Sequence, residues 1–363
     1  MSVCLFRSVY SGYRFSRQST YLRNLRYYSS ERKDNKIRDL VKAESKQLQQ
    51  KYSRENVRQY FFTRFFNYIS NYDKILEKRF PAAMHVYRVF MVGVKDFYSD
   101  MKKYFKVNAI MNSSEKGIKA LTRKEMELWK QMPRDMMKVA PVLLISALPF
   151  ANYVIFPLAY MYPRQLLTSH FWSIQQKSEF QDLFLKERTS VNRKIFRILQ
   201  AKLESTKSSE HYKTWNYILG LLGSGTHPTA DEIISVRNIF NEKPYSIGTI
   251  SSSHLKSLCK LHGIHSWYLK RLRLSEYCYT MHHIDLAIKS EGGVHNLTTD
   301  ALRYSCYLRG LNPSNLRNEE MIEWLRDWIK ISLTIRYENV SLYVHLPILL
   351  SYNHPNNWKL THN

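Results

Sequence analysis

An unbroken run of uncharged residues, from Val139 to Pro163, is the feature that most constrains how this chain can fold. The run is 25 residues long, and an apolar helix needs roughly 20 residues to cross the hydrocarbon core of a bilayer. We therefore predict one transmembrane segment over residues 139–163. Two other interpretations stay open: a hairpin that enters the membrane and returns near Pro149, and a buried helix of a soluble core.

Prolines divide this run at regular intervals. Pro141, Pro149 and Pro157 follow one another eight residues apart, and a proline inside a helix removes a backbone donor and clashes with the preceding turn. We expect a kink at Pro149. A role in ion transport would require several copies to assemble, with Asn152, Ser146 and the carbonyl groups freed at these prolines lining a shared cavity.

The first thirty residues have a composition unlike the rest of the chain. They contain no Asp or Glu and carry five arginines among serines and apolar residues: Arg7, Arg14, Arg17, Arg23 and Arg26. This composition is typical of a mitochondrial transit peptide, whereas a secretory signal would need a continuous apolar stretch. We predict removal of residues 1–30, with a disordered basic tail as the alternative.

Several sequence signals predict helices after residue 118. Thr122 and Glu125 have the spacing of a capping box, which predicts a helix starting at Arg123. Thr229 and Glu232 repeat this spacing, and Asn318 can cap a further helix. The predicted fold class is therefore all-α. We divide the chain into a transit peptide (1–30), a basic, aromatic-rich helical region (31–118), a membrane block (119–172), a helical domain (173–350) and a tail (351–363).

The chain is strongly basic, with 55 Lys and Arg against 30 Asp and Glu. Such an excess favours polyanionic partners: anionic lipid, nucleic acid or a ribonucleoprotein. No acidic residue lies between residues 243 and 275, where cations alternate with Trp267 and Tyr268. The residues predicted to bind a polyanion are Lys256, Lys260, Lys270, Arg271, Arg273 and Arg309. A merely solvated basic face and contact with anionic lipid are the alternatives.

Residues 254–264 and 301–311 align without gaps at an offset of 47 residues, sharing Leu, Cys, Leu and Gly. Each predicts a short helix that ends at a glycine, Gly263 or Gly310, with Ser253 and Thr298 as N-caps. The pattern indicates two copies of a helix–loop–helix unit. Chance, or the start and stop signals that short helices generally share, explains this similarity equally well.

We find no motif for catalysis. His282 and His283 lack the H-E-x-x-H arrangement, and neither a phosphate-binding loop nor a G-x-S-x-G elbow occurs. The four cysteines form no C-x-x-C pair, so neither a zinc site nor a disulfide framework is indicated. We predict a protein that is not an enzyme and that uses no cofactor or metal.

The membrane block resembles the leucine-zipper, EF-hand-containing transmembrane (LETM) proteins of mitochondria. The resemblance covers roughly residues 119–350. It starts with Leu121-Thr122-Arg123-Lys124-Glu125, continues through Asp135, Pro141, Pro149-Phe150, Pro157 and Pro163-Arg164-Gln165-Leu166-Leu167, and extends to Leu255–Ile264, Arg309-Gly310-Leu311 and Trp324-Leu325. An EF-hand loop and a heptad-rich tail are missing, so the chain is similar to the short LETM-domain-containing branch.

The resemblance implies a location in the inner mitochondrial membrane, with the C-terminal domain in the matrix. It implies binding to the mitochondrial ribosome in support of translation and membrane insertion, with cardiolipin-rich anionic lipid as a second partner. Homo-oligomerisation stays open. The alternative function is potassium or calcium exchange for protons, although residues 139–163 contain no ionisable side chain of the kind that usually marks an ion path.

Overall fold

The computed structural model describes residues 81–146, 148, 152–336 and 339–362. In these ranges all regular secondary structure is helical and no strand occurs, which confirms the predicted all-α class. The predicted transit peptide and residues 31–80 lie outside the described residues. The first described helix, α1, spans Pro81–Ser113.

The capping box at Thr122 starts the next helix where it was predicted. The Thr122 backbone N–H donates to Glu125 Oε2 at 2.9 Å, and the Glu125 N–H donates to Thr122 Oγ1 at 3.4 Å. These bonds satisfy amides that a helix start leaves without partners. Helix α2 then spans Arg123–Ser146.

The described residues of the uncharged run form two helical arms that pack against each other, as in the hairpin interpretation, and we call these arms the hairpin. The single transmembrane segment predicted over residues 139–163 is not confirmed. Helix α2 ends at Ser146, α3 spans Asn152–Met161, and α4 spans Pro163–Leu166. Lys138 Nζ donates to the Arg164 carbonyl at 2.7 Å, so the two ends of the run meet. One continuous helix would separate Lys138 from Arg164 by about 39 Å.

The prolines of the run have different positions in the hairpin. Pro141 lies inside α2 and Pro157 inside α3, whereas Pro149 and its predicted kink lie outside the described residues. Helix α2 ends three residues before Pro149, and a proline disfavours helical backbone just ahead of it. In the described part of the chain, no helix combines the length and apolar character needed to cross a membrane.

A small apolar core joins the hairpin to α1. Val139 and Val142 of α2 and Ile155 of α3 are buried together with Phe90 and Phe97 of α1. Burial of such side chains contributes roughly 1.5–3 kcal/mol each. One face of each hairpin helix is thereby covered by protein.

The helices after the hairpin are α5 (Ile174–Thr189), α6 (Asn192–Ala201), α7 (Tyr212–Gly223), α8 (Ala230–Ser235), α9 (Ser252–Leu261), α10 (Lys270–Ser290), α11 (Thr299–Leu308), α12 (Asn318–Ser332), α13 (Val340–Ser351) and α14 (Pro355–His362). All of them except α5 and α14 contribute buried apolar side chains to one larger core. Helix α13 is central, since every residue from Ser341 to Ser351 is buried. It packs against α6, α10 and α12.

Residues 351–363 were predicted as a tail, but the described part, up to residue 362, includes α14, which packs against α5. Asn357 is 2% exposed. Its Oδ1 accepts from the Asn312 N–H at 2.7 Å, and its Nδ2 donates to the Gly310 carbonyl at 2.8 Å. These bonds satisfy backbone groups of the loop after α11.

Candidate functional site

The outer face of the hairpin is apolar and exposed. Leu144 of α2 is 71% exposed, Val154 of α3 is 67% exposed, and Leu148 in the turn region is 58% exposed. Ile145, Leu158 and Met161 extend this surface. A contiguous apolar surface of this kind marks a site that contacts a membrane or another protein.

Polar and aromatic groups collect where the two arms of the hairpin meet. Lys138 Nζ lies 5.4 Å from the ring centroid of Trp172, whose indole N–H donates to the Pro163 carbonyl at 3.1 Å. Asp135 is buried one turn before Lys138 and accepts from Gln131 Nε2 at 2.9 Å. Burial raises the pKa of Asp135 and lowers that of Lys138. We call these residues the hairpin base.

The two aligned segments of the sequence both form the predicted glycine-terminated helices. Gly263 and Gly310 have φ values of 65° and 92°, in the left-handed region that favours glycine. The Ile264 N–H donates to the Cys259 carbonyl, and the Leu311 N–H donates to the Cys306 carbonyl, as in a Schellman motif. The N-cap of α9 is Ser251 rather than the predicted Ser253, whereas Thr298 caps α11 as predicted.

One arginine joins the C-terminal ends of these two helices. Arg188 of α5 donates through Nε to the Leu261 carbonyl at 2.8 Å. Its other two nitrogens donate to the carbonyls of Tyr307 and Leu308 at 3.2 and 3.0 Å. The guanidinium therefore satisfies carbonyls that α9 and α11 leave without intrahelical partners.

Arg309 does not lie on the surface, which corrects its prediction as a polyanion-binding residue. Its side chain is fully buried and paired with Asp285, and Nη1 donates to the Ser305 carbonyl at 2.8 Å. A buried charge needs a partner of opposite sign, and Asp285 on α10 provides it. Arg309 is a core residue.

Three of the predicted polyanion-binding residues donate hydrogen bonds to other groups of the protein. Arg271 donates to the carbonyls of Ile247 and Ile250 at 3.2 and 2.9 Å, and Arg273 donates to the His265 carbonyl at 3.3 Å. Lys270 Nζ donates to Ser252 Oγ at 3.2 Å. These cations organise the loops around the start of α10.

Lys256 and Lys260 are exposed on one face of α9, and the structure adds three cations that were missed in the sequence. Arg193, Lys194 and Arg197 are exposed on α6, which packs against α9. The missed signal is the absence of Asp or Glu from residue 191 to residue 203. We define the basic face as these five residues of α6 and α9.

Most cysteines and histidines of the described residues are buried or half-buried. Among the described residues, no three His, Cys, Asp or Glu side chains lie close enough together to hold a metal ion. Cys259, Cys278 and Cys306 are buried free thiols, and burial raises the pKa of each. His283 is buried, with Nδ1 2.8 Å from the Tyr279 carbonyl.

The described residues form an all-helical domain that carries an exposed apolar hairpin and exposed cations on α6 and α9. The family model described as LETM1-like, RBD matches residues 121–349. The chain therefore belongs to the LETM1-like family, and its similarity to proteins named LETM1 domain-containing protein 1 supports the short branch.

Two relatives match over most of their length. LETM1 domain-containing protein 1 of Xenopus tropicalis is 30% identical over 289 residues, 78% of this chain and 81% of that protein. The human protein of that name is 29% identical over 303 residues, which are 83% of this chain and 84% of that protein. The mitochondrial proton/calcium exchanger protein of Drosophila melanogaster is 25% identical over 243 residues, 64% of this chain and 23% of that protein.

Proposed function

We propose that this protein is a mitochondrial inner-membrane docking protein: the hairpin anchors it in the bilayer, and the basic face binds the mitochondrial ribosome from the matrix side. Docking would hold translating ribosomes near the site of membrane insertion. The observation that carries this proposal is the presence, on one LETM1-like domain, of an exposed apolar hairpin and a separate exposed basic face.

The dimensions of the hairpin favour entry into one leaflet. The ten residues of α3 form a helix about 15 Å long, roughly half of the hydrocarbon thickness of about 30 Å. Because Lys138 and Arg164 are in contact, the chain before the hairpin and the chain after it emerge on the same side. Lys138 and Trp172 are residue types that favour the head-group region, where anionic cardiolipin would be the lipid partner.

The basic face suits a ribosome because its five cations are available. Arg193, Lys194 and Arg197 belong to a helix with no acidic residue, and Lys256 and Lys260 lie one turn apart on the neighbouring α9. Each cation that neutralises a phosphate releases counterions, so the binding should weaken steeply with salt. The family model that matches this chain carries the letters RBD, for ribosome-binding domain.

Co-sedimentation with mitochondrial ribosomes from detergent extracts tests the docking role. We expect Arg193→Glu with Lys194→Glu and Arg197→Glu to reduce co-sedimentation by about tenfold or more at physiological salt. Reversal of Lys116, Lys119 and Lys124 makes the same change in net charge elsewhere and is the control. Equal binding by both variants and the wild type would reject the basic face. Reversal of Lys270, Arg271 and Arg273 is a poor test, because these side chains hold local loops.

Alkaline carbonate extraction of purified organelles tests the anchor. We expect the wild type to stay with the membranes and the variant with Leu144→Arg and Leu158→Arg to be released, because arginine is costly in the hydrocarbon core. Tyr217→Arg with Gln200→Arg adds the same charge at exposed positions outside the hairpin and should stay bound. Release of the wild type would reject membrane anchoring. Protease protection in mitoplasts would then test the matrix orientation.

Cation exchange is the second candidate, favoured by the similarity to the mitochondrial proton/calcium exchanger protein of Drosophila melanogaster. The groups best suited to take part lie at the hairpin base, where Asp135 is buried and its pKa is raised by burial. Several copies of the hairpin would have to assemble around a shared ion path, because a single hairpin cannot enclose such a path. Purified protein in liposomes should then move calcium or potassium against a proton gradient, and Asp135→Asn should reduce the rate. Liposomes that show no cation movement would rule out the exchange function.

A further inference from the structure

The loop that joins α9 to α10 and the first turn of α10 expose apolar side chains that a folded domain usually covers. Trp267 is 89% exposed, and Tyr268, Leu269 and Leu272 are each more than half exposed. Together they form a protruding apolar tip, which we call the tryptophan tip. An apolar group of this size on a basic surface is typical of a contact site.

The protein holds the tryptophan tip in a defined shape. Arg273 stacks on Tyr268, with its guanidinium carbon 4.3 Å from the ring centroid, and donates to the His265 carbonyl. Leu269 has a φ of 49°, in the left-handed region that is uncommon for leucine. A strained backbone that surrounding contacts keep in place is often found at a binding site.

The tryptophan tip starts beside the hairpin base. Arg134 Nη1 lies 3.5 Å from the Gly263 carbonyl, four residues before Trp267. Arg134 precedes Val139 by five residues of α2, a rise of about 7 Å along the helix. Two other apolar side chains are exposed close to the base: Met137, which is 81% exposed, and Ile174, which is 90% exposed and follows Trp172 by two residues.

We infer that the tryptophan tip is a second membrane contact, which inserts Trp267 and its apolar neighbours into the head-group region of the anionic bilayer that the hairpin enters. This inference rests on the proposed membrane anchoring. Tryptophan is the residue type most suited to that region. Two contacts would fix the orientation of the domain on the membrane, which a single hairpin leaves free to rotate.

The structure favours lipid over an RNA base as the occupant. Leu269 and Leu272 have no aromatic ring on which a base could stack. The cations that follow Trp267 in the sequence, Lys270, Arg271 and Arg273, already donate to groups of the protein itself. Apolar side chains beside cations whose positions are fixed suit the surface of an anionic bilayer.

Site-directed fluorescence in reconstituted full-length protein tests the inference. Each variant carries one reactive cysteine, Trp267→Cys, Leu148→Cys or Tyr217→Cys, in a Cys4→Ser background; the three buried cysteines should not be labelled. The cysteine is labelled with a polarity-sensitive probe in cardiolipin-containing phosphatidylcholine vesicles. Lipids with a nitroxide at a shallow or a deep position of the acyl chain then report depth.

We expect shallow nitroxide to quench the probe at residue 267, deep nitroxide to quench the probe at residue 148, and neither to quench the probe at residue 217. Quenching at residue 148 but not at residue 267 would overturn the tryptophan tip and leave the hairpin anchor intact. Absence of quenching at both would overturn both proposals. A probe at residue 267 that responds to mitochondrial ribosomes but not to vesicles would assign the tip to nucleic acid and overturn the inference.

Discussion

Arg309 and Asp285 form an ion pair from which water is excluded, since both side chains have no exposed surface. Asp285 Oδ1 accepts from Arg309 Nε at 3.1 Å. The second oxygen, Oδ2, accepts from Ser332 Oγ at 2.6 Å and from Tyr343 Oη at 2.8 Å. One carboxylate on α10 therefore joins the end of α11 to α12 and to the central α13.

Asp285→Asn should destabilise the domain by about 3–5 kcal/mol, because it leaves the Arg309 guanidinium buried without a counter-charge. Urea unfolding followed by circular dichroism measures the loss. Asp327→Asn on the exposed side of α12 is the matched control and should change stability by about 0.5 kcal/mol or less. Equal stabilities for the two variants would show that the carboxylate charge does not hold Arg309 in place.

Arg188→Lys should also destabilise the protein, although it keeps the charge. One ammonium group cannot reach carbonyls on both α9 and α11 as the planar guanidinium does. Loss of hydrogen bonds to buried carbonyls should cost about 2 kcal/mol or more in urea unfolding. Lys186→Ala, which removes an exposed cation from the same helix, is the control and should have little effect. If Arg188→Lys left the free energy of unfolding unchanged, water would have replaced the guanidinium at these carbonyls.

The features that the sequence predicted correctly are local ones. A capping box such as Thr122 with Glu125, and a glycine such as Gly310 after a helix, depend on neighbours within a few residues. Arg309 was misassigned because its partner, Asp285, lies 24 residues earlier, and composition does not reveal whether a cation faces inward.

The hairpin is the clearest case of information that is not local. Hydropathy gives the length of the uncharged run, but the contact between Lys138 and Arg164, 26 residues apart, decides that the run turns back. The cations of α6 were missed for a different reason. Arg193, Lys194 and Arg197 form a short cluster in the sequence, and only the fold shows that their helix packs against α9, the helix that carries Lys256 and Lys260.

A pair of buried histidines predicts that acid weakens the fold. His254 Nε2 lies 3.1 Å from His345 Nε2, and His345 Nδ1 lies close to the Ser341 carbonyl. Because a carbonyl only accepts, His345 Nδ1 carries a proton and donates it to the Ser341 carbonyl. In a neutral His345 ring, Nε2 is then the acceptor for the N–H of His254 Nε2. This arrangement fits two neutral rings. Burial lowers the pKa of His254 to about 2 and that of His345 to about 4.

Because an unfolded histidine has a pKa of about 6.5, the unfolded state binds protons that these rings do not, and stability falls as the pH drops below that value. Each ring should contribute about 2 kcal/mol of the loss between pH 7 and pH 5. His254→Gln keeps a donor toward His345 and should reduce the pH dependence of urea unfolding by about that amount. His265→Gln, at an exposed histidine, should leave it unchanged. Identical pH profiles for wild type and His254→Gln would contradict a neutral buried pair.

Lys130 predicts a second pH dependence on the alkaline side. Its Nζ lies 2.8 Å from Met281 Sδ and 4.1 Å from the ring centroid of Tyr277. Burial, with added repulsion from Arg188 and Arg309, lowers the pKa of Lys130 to about 7. The folded protein thus releases this proton near neutral pH, whereas the unfolded chain keeps it until about pH 10.4.

This contribution increases stability as the pH rises from 7, because in that range the unfolded state binds more protons than the folded state. Methionine is similar in length to lysine and carries no charge. Between pH 7 and pH 9, the free energy of unfolding of the wild type should therefore rise by about 2 kcal/mol relative to that of Lys130→Met. The difference between the two proteins is the quantity to measure, since the buried cysteines titrate in both. Lys124→Met, at an exposed position of the same helix, should follow the wild type. Parallel urea-unfolding curves for wild type and Lys130→Met would mean that the ammonium stays hydrated and charged between Tyr277 and Met281.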